Sequence, residues 1–276
     1  MQIVYNKESL SDEIRGYKSS GNKITLIPTM GNLHHGHQVL FSKAPDNTIK
    51  VVTIYVNPLQ FDRDDDYQNY PKSLQTDLEV CSKNSITLVY VPKGDISNEI
   101  VIEKSIDLPK FTRYLCGQKR EGHFLGVYKI VKYLFSIVNP DFACFGKKDF
   151  QQLLLIKYIA NTYFPRTNII GVDTVRDTNN IALSSRLTRL SKESLCSASR
   201  IYETLENIKS ELLKGSSFKK LKEESVDHLK INDIYVEYLD LRSLITLEEA
   251  SDKLKSCGIF IACHLDNVRL IDNIEI

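Results

Sequence analysis

The sequence predicts an α/β protein: a parallel sheet covered by helices, followed by a smaller C-terminal α+β domain. Three observations carry this. Five apolar runs, KITLI (23–27), IKVVTIYV (49–56), ITLVYVP (86–92), DFACF (141–145) and NIIGV (168–172), alternate with helix-spaced stretches, as strands covered on both faces do. Polar strings containing glycine follow two of these runs, where a strand hands over to a helix. From Lys192 the pattern becomes two long amphipathic stretches and then short strands, which suggests a separate small layer. The expected boundary falls near residue 175, giving domains 1–175 and 176–276.

Composition narrows the function classes. Of 276 residues, 42% are hydrophobic and 26% charged, which suits a soluble globular chain with a real core. A formal net charge of +1 argues against a nucleic-acid or membrane surface. The first residues are polar early, without a signal-peptide core, and no apolar run has membrane-spanning length. The six cysteines are scattered and none forms CxxC. They read as buried free thiols in a reducing compartment, hence the cytoplasm.

Taken in order, IVY (3–5) opens an edge strand. KESLSDEIRGYKSSG (7–21) has helical spacing, with Ser9 and Asp12 placed for a capping box and Gly21 as the stop. The run 23–27 leads into PTMGNLHHGH (28–37), and QVLFSKA after it is helix-spaced. At such a junction the first helical N–H groups point outward with partial positive charge, and a phosphate fits there. Gly31 and Gly36 permit a tight turn and close approach, while His34 and His37 offer imidazole donors. A metal site and a purely structural loop are the alternatives. Zinc would want a third ligand and often a glutamate within the motif, and HHGH has none. A nucleotide site, with two histidines over the phosphates, is the preferred reading, and the sheet is expected to be Rossmann-like.

The run 49–56 ends in NPLQF, delivering Asn57 and Gln60 at the C-terminal end of a buried strand, where open α/β sheets bind ligands. A plain turn with an Asn cap is the alternative. Asp62, Asp64, Asp65 and Asp66 read as a solvated charge run in a loop rather than a metal site. A helix is predicted over 73–84. The stretch 93–107 is less readable and is expected to cover an edge or an entrance. LGVYKIVKYLFSIV (125–138) is a core helix on Val127, Ile130, Val131, Leu134, Phe135 and Val138, ended by Asn139–Pro140. Arg120 and His123 stand at its entry, as ligand contacts or as an ordinary basic loop.

DFACFGKKDFQQ repeats the opening logic. Gly146 turns the chain, Lys147 and Lys148 stand at the corner, and Asp149 opens a helix. A corner lysine reaches phosphates as a mobile point charge, and two surface lysines are the alternative. Farther on, ALSSR (182–186) puts two hydroxyls beside a guanidinium, which suits phosphate oxygens. Ser191 suits a helix cap better than these serines do. Helices are predicted over 191–215 and 216–230, and strands over 233–241 and 259–265.

These strings together carry a resemblance. HxGH after a strand resembles the adenylyl-transferring superfamily that includes class I tRNA synthetases. PTMGNLHHGH, VNPLQF, GKKDFQQ, SSR and RLIDN, in this order, resemble the pantoate–β-alanine ligase family over nearly the whole chain. The resemblance implies ATP-dependent joining of pantoate to β-alanine through a pantoyl adenylate, with Mg²⁺, in a cytoplasmic homodimer. It implies catalytic roles for His34, His37, Lys148 and Arg186. ATP would meet Met30, Gly36, Gly146, Asp149, Val175, Leu183, Ser184 and Ser185 as well. Pantoate would meet Gln60, Gln152, Met30, Asn57, Tyr70 and Arg120. No metal ligand is assigned firmly; Asp77 or Asp149 would help an ion held by ATP.

The chain departs from the family strings at Glu121 for proline, Lys147 for glutamate, Asp173 for proline, Asn180 for glycine and Leu183 for methionine. The choice of Lys148 over Lys147 rests on alignment alone. Loops 62–72 and 176–183 are candidates to close over the site. The other readings are another HxGH nucleotidyltransferase and a non-catalytic adenine-nucleotide sensor.

Overall fold

Leu26, Val51, Leu88 and Ala143 turn to one face of a sheet, and Ile27, Val52, Val89 and Cys144 to the other; all eight are buried. Such double-sided burial requires helices on both faces. The computed structural model describes residues 1–94, 96, 99, 100, 106–250 and 255–276. The chain runs β1 (Gln2–Val4), α1 (Lys7–Ser19), β2 (Lys23–Thr29), α2 (His35–Ser42), β3 (Thr48–Ile54), α3 (Asp64–Gln68), α4 (Leu74–Lys83) and β4 (Leu88–Tyr90). It continues with α5 (Leu115–Lys119), α6 (His123–Val138), β5 (Phe142–Gly146), α7 (Phe150–Tyr163) and β6 (Asn168–Val172). These strands pair in parallel in the order β1-β4-β3-β2-β5-β6, as a Rossmann-like sheet does. Helices α1, α6 and α7 cover one face, and α2 and α4 the other.

That order places the functional cleft. From β2 the chain moves outward through β3, then returns to lay β5 on the other side of β2. Ligands bind at such a switch point, beyond the carboxyl ends of the strands. β2 pairs with β3 from Lys23↔Thr48 through Thr29↔Ile54, but with β5 only at Thr25↔Phe142 and Leu26↔Ala143. The crevice opens where that pairing stops.

After β6 come α8 (Lys192–Ser197), α9 (Ser199–Leu213) and α10 (Phe218–Ile231). They pack on an antiparallel sheet of β7 (Tyr235–Ser243), β8 (Cys257–Leu265) and β9 (Val268–Glu275). No helix among the described residues is long and apolar enough to cross a membrane.

Several local expectations are corrected. Asn6, not Ser9, caps α1, accepting from the Ser9 N–H at 2.8 Å; Asp12 instead pairs with Arg15. The long helix expected over 191–215 is two helices meeting at Ala198, with Ser191 capping the first. β9 was not foreseen: Asp266 and Asn267, with φ of 49° and 58°, make the two-residue hairpin that joins it to β8, as Asn and Asp do in the left-handed region. Residues 64–68 of the presumed acidic loop are helical. Cys196 is exposed, unlike the other five thiols. Gly146 has an ordinary φ of −76° and ends a strand rather than turning the chain. The predicted cover at 93–107 lies largely outside the described residues.

Candidate active site

The HHGH loop is held from below by one buried carboxylate. Asp77, on α4, accepts from Asn32 N at 2.9 Å, Leu33 N at 2.7 Å and Ser73 Oγ at 3.1 Å. Gly31 sits at φ +83°, and a Cβ there would lie 2.9 Å from Asp77 Oδ2. Only glycine takes this conformation with the carboxylate so near.

Held this way, the loop enters α2 through its histidines. His34 is the N-cap, and its Nδ1 accepts from Gly36 N at 3.1 Å. His37 reaches back, and its Nδ1 accepts from His34 N at 3.2 Å. This is a capping box made of imidazoles. A backbone N–H only donates, so both Nδ1 atoms are unprotonated and each neutral ring carries its proton on Nε2. Burial, then Lys148 and His35, lower His34 to about 4. Burial, then His34 and Lys148, lower His37 to about 3. The donors that these two rings offer the cavity are therefore neutral imidazole N–H groups. The backbone N–H groups of His34 and Gly36, expected to face an anion, are taken by the rings.

The second wall is the corner after β5. Lys147–Asp149 form a 3-10 turn into α7, with Asp149 at the N-cap position. Lys148, Asp149 and Gln152 line the cavity. Lys147 does not: its Nζ lies 2.8 Å from Asp173 and 3.3 Å from Glu275. Two departures from the family strings, Lys147 and Asp173, thus pair with each other. The adjacent glutamine, Gln151, is buried and turned away, bonded to Cys116 N, Phe111 O and Tyr114 O.

The third wall is a relay between two loops. Asn57 is buried; its Oδ1 accepts from Leu59 N, and its Nδ2 donates to Gln60 Oε1 and Gly126 O. Gln60 Nε2 in turn donates to Met30 Sδ at 2.9 Å. Arg120 Nε donates to Asp62 at 2.6 Å, and its other nitrogens reach Gln60 O and His123 Nε2. His123 Nδ1 lies 2.7 Å from Gln60 O. Because that carbonyl only accepts, His123 carries its proton on Nδ1. Burial and then Arg120 lower it to about 3.

The fourth wall is the SSR turn. Ser184 caps it, accepting from Arg186 N, and Ser185 Oγ donates to Asn32 O at 3.1 Å. Asp66 binds Arg186 through Nε at 3.3 Å and Nη2 at 2.7 Å, and takes Arg189 Nη1 at 2.8 Å. Burial opposes ionisation of Asp66, but the two arginines hold it below the usual carboxylate range. Tyr70 is buried, with the Arg186 guanidinium 5.5 Å from its ring centre.

Together these walls enclose about 250 Å³. Met30, His34, Gly36, His37, Asn57, Gln60, Tyr70, Arg120, Gly146, Lys148, Asp149, Gln152, Val175, Leu183, Ser184, Ser185 and Arg186 all line it. Asp77, offered as a metal helper, does not, because its oxygens are taken by the loop. Asp62 and Asp66 do not line the cavity but hold Arg120 and Arg186, which do, and the sequence reading missed that role. The acidic run reads as solvated until the fold sets it opposite Arg120, Arg186 and Arg189, and no local sequence signal reports that. Among the described residues, no three His, Cys, Asp or Glu side chains could hold a metal ion together.

Comparison with known proteins agrees with this architecture. A family model described as pantoate-beta-alanine ligase matches residues 2–275. The pantothenate synthetase of Aliivibrio fischeri is 37% identical over 280 residues, covering 100% of this chain and 96% of that protein. That of Neisseria meningitidis is 37% identical over 281 residues, covering 100% and 99%. Among solved structures, a Thermus thermophilus pantothenate synthetase superposes with a TM-score of 0.87 at 30% identity, covering 100% of this chain and 99% of that one. The Francisella tularensis pantoate-beta-alanine ligase, solved with beta-gamma ATP and beta-alanine, gives 0.83 at 31%, covering 100% and 97%.

Proposed function

The chain belongs to the pantoate–beta-alanine ligase family, and on that premise we propose how its cavity carries out the ATP-dependent condensation of pantoate with β-alanine. The observation that carries the reading is the convergence of His34, His37 and Lys148 on the cavity that Gln60 and Gln152 also line.

In the first step the pantoate carboxylate attacks the α-phosphorus of ATP, the bond to the bridging oxygen breaks, and pyrophosphate leaves. The substrate brings its own nucleophile, so the protein's work is to hold an anion against a polyanion. The Nε2–H groups of His34 and His37 donate to phosphate oxygens. As neutral donors they need no proton from solvent, and both are already oriented by backbone bonds. Lys148 supplies the mobile positive charge, with Ser184 and Arg186 on the facing wall. Gln60, held by Asn57 and Met30, and Gln152 orient pantoate. In the second step the uncharged amine of β-alanine attacks the acyl carbon, loses a proton, and AMP departs.

Mg²⁺ belongs to the same proposal. It would rest chiefly on the triphosphate, with Asp149 the expected carboxylate neighbour in the cavity, and would neutralise charge there. We also take residues 176–276 as a lid domain over a 1–175 nucleotide domain, with loops 62–72 and 176–183 excluding water from the adenylate. Asp66 already ties the first of these loops to Arg186 and Arg189. A cytoplasmic homodimer completes the reading; the buried free thiols support the compartment. A lysine in place of the family's glutamate at 147 would favour a non-catalytic sensor if it altered the phosphate-binding corner. Lys147 itself does not line the cavity, and its ammonium is held by Asp173, at the cavity edge, and by Glu275, which removes that support.

The test is pantoate-dependent exchange of labelled pyrophosphate into ATP, with Mg²⁺ and without β-alanine. Exchange should require pantoate, and His34→Ala should lower its kcat by about 10²-fold. Exchange that ignores pantoate, or a His34→Ala variant at full rate, overturns the assignment.

A further inference from the structure

Lys148 carries its charge on a flexible four-carbon stem, so the region that charge can reach is set by the direction in which the stem leaves the backbone. Something must aim Lys148, and the last strand, β9, bonds its backbone directly. Asn273 is buried, and its Nδ2 donates to Lys147 O at 3.1 Å and to Lys148 O at 2.9 Å. Each carbonyl belongs to a rigid planar peptide unit. The Lys147 carbonyl lies in the plane that ends at the Lys148 Cα, and the Lys148 carbonyl lies in the next plane. The two planes meet at the Lys148 Cα, so fixing both sets its φ and ψ and the direction of its Cα–Cβ bond.

The amide is itself fixed. Asn273 pairs with Phe260 in the β8–β9 register, and its N–H donates to Asp272 Oδ1 at 2.8 Å. Asp272 also holds Arg176, from the segment leading to Leu183 and Ser184, through Nη1 at 2.6 Å and Nη2 at 2.9 Å. Glu275 reaches Lys147. The end of β9 therefore grips two walls of the cavity without lining it.

We propose that Asn273 is a positioning residue for the ligase reaction, acting through Lys148. This rests on the reading of Lys148 as the cation over the phosphates. The test is a double-mutant cycle in pyrophosphate exchange with wild type, Asn273→Leu, Lys148→Ala and the double variant. Leu matches the shape of Asn without its donors. Asn273→Leu should lower kcat by about 10-fold, leave the KM values for ATP and pantoate within about threefold, and cost under about twofold more when added to Lys148→Ala.

An Asn273→Leu variant within about twofold of wild type overturns the proposal. So does a loss that multiplies in full with that of Lys148→Ala, since this marks general damage. If the leucine variant does not fold, Asn273→Asp keeps the size, removes the donors, and enters the same cycle. A wild-type chain without exchange, or Lys148→Ala at wild-type rate, overturns the functional reading and this inference with it. A damaged Lys148→Ala beside an intact Asn273→Leu overturns the inference alone.

Discussion

Replacing Asp77 by Asn changes one atom and should disable the nucleotide loop. The carboxylate is buried, and three donors converge on it: Asn32 N on one oxygen, Leu33 N and Ser73 Oγ on the other. An amide offers one oxygen, so at least one backbone N–H would face an NH₂ group. A hydrogen bond to a charged group contributes about 1.5–3 kcal/mol, and a buried donor left unpaired costs about 1–3 kcal/mol. Asp77→Asn should therefore destabilise the protein by about 2–4 kcal/mol. The loop carries His34, so its Nε2–H should move with it, and a displacement near 1 Å costs about 10²-fold in rate. Urea unfolding followed by circular dichroism gives the first quantity and pyrophosphate exchange the second. A variant that loses under about 0.5 kcal/mol and exchanges at wild-type rate would show that Asp77 does not hold the loop.

Two other perturbations follow from the same walls. A Cβ on Gly126 would lie 2.0 Å from Leu59 O and 2.6 Å from Gln60 N. Gly126→Ala should push the Asn57–Gln60 turn off α6 and raise the KM for pantoate by about tenfold or more; an unchanged KM would mean Gln60 does not hold this substrate. The buried histidines give stability a pH dependence of definite sign. His34, His37 and His123, at about 4, 3 and 3, bind fewer protons folded than unfolded. Stability is complete above the ordinary value of 6.5 and is lost as pH falls toward 4. Each histidine contributes a slope of up to about 1.4 kcal/mol per pH unit in that window. His37→Gln should lower the slope measured by urea unfolding from about pH 6 to 4.5 by up to about 1.4 kcal/mol per pH unit; an unchanged slope refutes its buried neutral state.

The parallel sheet was legible because strands covered on both faces read as unbroken apolar runs, and the glycine- and histidine-bearing string marked its own junction. What escaped depends on partners distant in sequence. Nothing near Asp66 announces Arg186 and Arg189, and nothing near Asp77 announces Asn32 and Leu33. The choice between Lys147 and Lys148 needed Asp173 and Glu275. The histidine cap was hidden differently: both rings stand in plain view, but imidazole nitrogens are unusual acceptors for a helix start. β9 was readable in principle, since Asp266–Asn267 is a hairpin signal between an apolar run and one that begins by alternating.

The grip of β9 on the Lys147–Lys148 corner has a consequence for the order in which the protein comes to life. Domains form as units while the chain is being made, earlier segments first. The parallel sheet, the histidine loop and the corner itself all leave the ribosome well before Asn273. A nascent chain at that stage would hold a nucleotide cleft with an unaimed lysine. Full competence would then arrive late, with the docking of a strand from the other sheet, so that chains still lacking β9 would activate pantoate more slowly than finished ones.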